Sequence, residues 1–113
     1  MYDLEERTFQ FAKDVALFSK KLPKTSANIE SSKQVIRSSG SVGANCIEAN
    51  ESLSKKDFTM RIKICSKEAQ ESFCWLKILV RTNDMAHASA GEKLIDESDE
   101  SRKIFSSIIE KST

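Results

Sequence analysis

One proline, three glycines and a single histidine among 113 residues leave this chain little to turn with and little to catalyse with. So few turn formers allow about three long breaks, which favours a few long helices over many short strands. The lone histidine, His87, falls in the stretch Met85-Ala86-His87-Ala88, which has no period. A thiol or serine nucleophile therefore lacks a base poised on a helix. The chain has no G-x-S-x-G and no glycine-rich phosphate loop. It also lacks the Glu-x-x-His motifs that carboxylate-bridged di-metal bundles add to their lone glutamates. These absences argue against an enzyme and against a bound cofactor.

Long apolar runs are missing too, and nothing approaches the roughly 18 to 20 residues of a membrane span. The N-terminus, Met1-Tyr2-Asp3-Leu4-Glu5-Glu6, is acidic where a secretory signal is basic and then apolar. A cytoplasmic protein without a membrane partner is expected. The three cysteines, Cys46, Cys65 and Cys74, are odd in number and show no C-x-x-C pairing. They fall in helical patterns, where a free thiol packs as a small apolar residue.

What is present is helical periodicity. An apolar content of 39% beside 31% charged residues is that of amphipathic helices in one domain with one core. The stretch from Lys55 to Asp84 organises the rest. Its Phe58, Ile62, Cys65, Ala69, Phe73, Leu76 and Val80 recur at steps of three and four, and Ser54 with Asp57 forms a capping pattern at its head. A helix of that length runs about 45 Å and needs neighbours as long as itself.

Residues 3–22 supply one such neighbour, with Leu4, Phe11, Val15, Phe18 and Leu22 on a seam where Thr8 fills the missing step; Pro23 stops it. A second helix, 27–52, takes Thr25 or Ser26 as cap. Its stripe is Val35, Ser39, Val42, Cys46, Ala49 and Leu53, widened by Ile29, Ile36 and Ile47. Gly40 and Gly43 inside it point to close packing against another backbone, or else to a bend. A fourth helix, 90–111, opens at the Ser89-x-x-Glu92 capping box. Its centre, Asp96 to Ser101, is wholly polar and could fray or lie over the basic third helix. Short connections make neighbours antiparallel. The fold class expected is all-α, an elongated, antiparallel up-down four-helix bundle with helices at about 3–22, 27–52, 55–84 and 90–111.

Two polar clusters interrupt the stripes. Asn45 and Glu48 stand three apart on the second helix, and Glu68 and Glu71 three apart on the third, with Ser66 and Trp75 close by. Each pair shares a helical face. If the faces meet, they form an interhelix polar network or a carboxylate metal site at Glu48, Glu68 and Glu71. Charge is also uneven, with a balance of +4 over residues 1–81 and −3 over 82–113. The basic part makes Arg37, Lys55, Lys56, Arg61, Lys63, Lys67, Lys77 and Arg81 candidates for nucleic-acid phosphate contact.

The run Ser41-Val42-Gly43-Ala44-Asn45-Cys46-Ile47-Glu48-Ala49 resembles the S-[IV]-x-[AS]-N-[IC]-x-E-[GA] signature of the 23S rRNA-intervening sequence proteins. Arg37, the Lys56-Asp57-Phe58 step, and Ser66 through Trp75-Leu76 resemble that family's second hallmark. The likeness spans about residues 7–82. Gly43 stands where many relatives carry proline. The resemblance implies an up-down four-helix bundle that assembles side by side into a ring, a homopentamer. Members are often encoded within inserted segments of bacterial ribosomal RNA genes. A bundle of similar fold, the accessory variability determinant protein of diversity-generating retroelements, binds nucleic acid and a reverse transcriptase. It is strongly basic, as this chain is not. The function expected is a non-enzymatic oligomeric scaffold that contacts RNA or another nucleic-acid-binding protein. The alternatives are a carboxylate metal-binding bundle and a purely structural homo-oligomer.

Overall fold

The computed structural model describes residues 3–112; Met1 and Tyr2 of the acidic N-terminus, and Thr113, lie outside them. Four helices, α1 (Leu4–Lys21), α2 (Ser26–Asn50), α3 (Lys55–Thr82) and α4 (Ala88–Lys111), form a rod 45 × 19 × 19 Å in extent. α2 packs between α1 and α3, α3 between α2 and α4, and α4 closes back on α1. This is the antiparallel all-α four-helix bundle expected.

Local chemistry sets most boundaries. Asp3, Thr25 and Ser54 each accept a hydrogen bond from the backbone N–H three residues on, satisfying an otherwise orphaned donor at the start of α1, α2 and α3. α4 differs from the expected start. Ser89 lies inside it, and His87 offers the helix no side-chain hydrogen bond. A 3₁₀ turn at Met85–His87, held by His87 N–H donating to the Asp84 carbonyl, already winds the chain into the helix.

The core runs the length of the rod. Its upper half joins Phe11, Val15, Phe18, Val35, Leu76, Leu79, Leu94 and Ile95. Its lower half joins Val42, Cys46, Ala49, Ile62, Cys65, Ala69 and Phe105. Thr8 fills its seam position as expected, buried, with its hydroxyl donating to the Leu4 carbonyl at 2.6 Å.

The polar centre of α4 does not fray. Ser98 and Ser101 occupy core positions between Leu94 and Ile104, both buried, and the Ser98 hydroxyl donates to the Ile95 carbonyl at 2.8 Å. Small serines continue the buried stripe through this stretch. Two acidic residues of α4 find their partners away from the cations of α3. Glu97 pairs with Arg7 of α1 at 2.6 Å, and Asp99 pairs with Arg102 and Lys103 on its own helix.

α2 departs from expectation in two ways. Leu53 ends outside the helix and is fully exposed, and Ile29, Ile36 and Ile47 are about half exposed, so they widen the surface rather than the core. Ser38, buried, meets Ser72 of α3, while Gly43 lies against the Thr8 backbone of α1 and Gly40 against neither. A Cβ at Gly40 would meet nothing within 4 Å, and one at Gly43 would touch Thr8 at ordinary contact distance. Gly40→Ala is therefore expected to stabilise the bundle by about 0.5 to 1 kcal/mol, read as a raised urea midpoint with unchanged slope.

Candidate functional site

The α2–α3 seam carries most of the polar chemistry. Its register is set by cross-helix pairs at regular levels. Asn28 and Asn83 exchange two amide hydrogen bonds at 2.8 and 2.9 Å, and the Ser38 and Ser72 hydroxyls meet at 2.7 Å. Arg37 forks onto α3, with Nη1 donating to Glu68 at 2.9 Å and Nη2 to Glu71 at 2.5 Å. Trp75 Nε1 donates to the same Glu71 carboxylate at 3.3 Å. One level further on, Arg61 Nη1 donates to the Asn45 side chain at 3.2 Å, and Asn45 donates in turn to Ser41.

Glu68 is the buried member of this group. Burial pushes its carboxyl up, but hydrogen bonds from Arg37 and Ser41 with the Arg37 charge outweigh it and hold the carboxyl below the usual range. It is therefore an anion at neutral pH, neutralised by a guanidinium that is half in water.

Of the residues expected in the network, Asn45, Glu68, Glu71 and Trp75 join it. Glu48 and Ser66 do not. In an antiparallel pair whose levels match Arg37 with Glu68 and Asn45 with Arg61, Glu48 lies about 16 Å along α2 from Arg37 and is exposed. Ser66 lies two residues, about 200° of helix, from Glu68 and so falls on the opposite flank of α3. The carboxylate trio Glu48, Glu68 and Glu71 does not converge. Arg37 occupies the position between Glu68 and Glu71 that a cation would take. Among the described residues, no group of three or more His, Cys, Asp and Glu side chains is placed to hold a metal ion.

Arg37 and Arg61 are thus seam residues. The remaining cations sort by helical position. Lys56, Met60, Lys63, Lys67, Gln70, Cys74, Lys77 and Arg81 follow one another at steps of four and three, so they form one stripe. All are exposed except Lys77, which is half-buried with its ammonium 5.0 Å from the Phe73 ring centroid. The stripe holds five cations and no carboxylate. The acids of α3 are elsewhere, with Glu68 and Glu71 bound to Arg37, and Asp57, eleven residues before Glu68, on that same flank facing α2. Among the described residues no carboxylate lies within ion-pair distance of these five cations. Lys55 is exposed at the head of the helix beside this stripe.

The molecule is therefore a rod-shaped helical bundle with a part-buried ionic seam and a basic outer face, with no catalytic constellation among its described residues. By sequence profile it belongs to the 23S rRNA-intervening sequence protein family, matched over residues 2–107. Among solved structures, it is similar to a crystal structure of a protein of unknown function from the S23 ribosomal protein family of Bacteroides thetaiotaomicron. The two share 30% identity with a TM-score of 0.79, covering 94% of this chain and 97% of the other. No curated protein matches it. Among the described residues no helix is long and apolar enough to cross a membrane.

Proposed function

We propose that this chain is a non-enzymatic helical scaffold that lays the outer face of α3 along a nucleic-acid backbone. The observation that carries the reading is the acid-free stripe of Lys56, Lys63, Lys67, Lys77 and Arg81. Cations are normally balanced on a helix surface by acids one turn away, and here the acids of α3 are withdrawn into the α2 seam. The stripe from Lys56 to Arg81 is about 38 Å long, the reach of roughly one turn of duplex. With no exposed aromatic ring along it, it suits phosphates rather than stacked single-strand bases. RNA is the ligand that the family's description favours.

Titration of the protein against a structured RNA hairpin and a DNA duplex at two salt concentrations tests this. Affinity that falls steeply with salt supports backbone contact, and no binding at low salt defeats it.

Self-association is the second part of the reading, and the exposed apolar residues of α2 support it. Ile29, Ile36 and Ile47 fall seven and eleven residues apart on one stripe, and Ile29 and Ile36 line a groove with Ala16 and Pro23. Phe9, on α1, is 61% exposed. Such a face fits side-by-side packing of copies into the ring expected from the family, a pentamer. Ile36→Lys should then shift the sedimentation coefficient to that of a monomer. An unchanged oligomer would place the interface elsewhere, and a wild-type monomer at high concentration would remove the ring altogether.

A further inference from the structure

Two of the three cysteines meet in the core. Cys46 of α2 and Cys65 of α3 hold their Sγ atoms 3.6 Å apart, both thiols free and buried. They sit near the α2–α3 connection, with Cys46 next to Asn45 and Cys65 one turn beyond Arg61, the pair that sets the register of the seam there. We propose that Cys46 and Cys65 form a latent dithiol that a hydroperoxide closes into an intramolecular disulfide, stapling α2 to α3.

A disulfide requires the sulfurs to approach by about 1.5 Å, within reach of side-chain rotation and a small helix shift. The direction of the contact is already right, because the two side chains face one another across the seam rather than lying along one helix.

Access comes from the end of the rod. Next to the pair the chain leaves α2 at Asn50 and re-enters helix only at Lys55, with Leu53 wholly in solvent. That end of the core is closed by Leu4, Phe58, Ile108 and Ile109, all only partly buried. Local opening there takes less free energy than global unfolding and admits a small oxidant. The Cys65 thiol also faces the Val42 carbonyl at 3.6 Å, and its contact with Cys46 together with burial pushes it up.

The chemistry balances without a further reactant. One thiolate of the pair attacks the peroxide, breaking the O–O bond to give a sulfenic acid and hydroxide. The sulfur of the other cysteine then displaces the sulfenic oxygen, which leaves as water once protonated. Two thiols are oxidised to one disulfide as one hydrogen peroxide is reduced to two waters, or an organic hydroperoxide to its alcohol and one water.

Cys74 provides the contrast, since it lies exposed on the outer stripe of α3 and has no thiol partner within its own chain. The test uses the full chain carrying Cys74→Ser, treated with hydrogen peroxide. Closure lowers the intact mass by about 2 Da and gives a non-reduced peptide that joins Cys46 to Cys65. The unfolded fraction in urea should fall about a hundred-fold relative to the reduced protein, and dithiothreitol should restore it. Adding Cys46→Ser to this variant should abolish both changes. Gains of about 16 or 32 Da without a joined peptide would overturn the proposal. So would an unchanged mass under conditions that fully oxidise Cys74 in the wild type.

Discussion

Alanine at Gly91 is expected to destabilise the bundle by about 2 to 3 kcal/mol, although helix propensity alone favours the change by about 1 kcal/mol. Gly91 is buried in the first turn of α4, where α3 and α1 meet it. A Cβ there would stand 2.2 Å from Val80 Cγ2 and 3.1 Å from Phe18 Cζ. Valine is stiff at χ1 and the Phe18 ring is in the core, so neither yields cheaply. The helices must part instead. Urea unfolding should show a lower midpoint with unchanged slope, and adding Val80→Ala should return part of the loss. If Gly91→Ala alone were as stable as the wild type, α4 would pack at another level.

Arg37→Ala is expected to cost about 2 kcal/mol at neutral pH, less than the roughly 3 to 5 of a fully buried pair because the guanidinium is half in water. The loss comes from leaving Glu68 buried without its counter-charge. The pH dependence gives the sign. In the wild type the Glu68 carboxyl is held below its ordinary value. Its contribution is therefore present above about pH 4.3 and disappears as the pH falls through the depressed folded value. In the variant, burial acts against the charge with only the Ser41 hydrogen bond and more distant charges opposing it, so the carboxyl rises. The variant then regains stability relative to the wild type as the pH falls towards 4. Parallel stability curves across pH 4 to 7 would show that Arg37 and Glu68 are not coupled.

The two small-residue features of this chain were not equally legible in its sequence. Gly40 and Gly43 draw attention because they sit together in a helix interior, yet one faces open space and the other leaves room for a methyl. Gly91 looks like a feature of a helix start, and only the approach of Val80 and Phe18 shows what it does. Apolar spacing was sufficient for α1 and α3. It misled at Leu53, Ile29, Ile36 and Ile47, because a stripe shows which residues share a face and not how much of that face a neighbour covers. In α4 the serines at 98 and 101 carry the core stripe through an apparently polar stretch.

The polar network was legible in part for a related reason. Three-residue spacing links Glu68 to Glu71 on one helix, but membership across two helices depends on register. Register placed Asn45 opposite Arg61 and left Glu48 in solvent. Arg37, read from the sequence as a phosphate contact, turned out to be the residue that joins the glutamates. The steps of four and three from Lys56 to Arg81 were present in the sequence throughout. What they mean depends on where the acids go, and the Arg37 fork settles that for Glu68 and Glu71.

The most direct test of the α3 face compares salt slopes for three proteins binding one RNA hairpin: the wild type, a Lys56→Gln/Lys63→Gln/Lys67→Gln variant, and a Lys13→Gln/Lys20→Gln/Lys21→Gln control on α1. Each variant loses three charges, all at exposed positions. If α3 tracks the backbone, the α3 variant should bind at least ten-fold more weakly, with a slope shallower by about 2 to 3, and the control should keep the wild-type slope. Equal losses in both variants would mean that only net charge is felt, and a loss confined to the control would move the interface to α1.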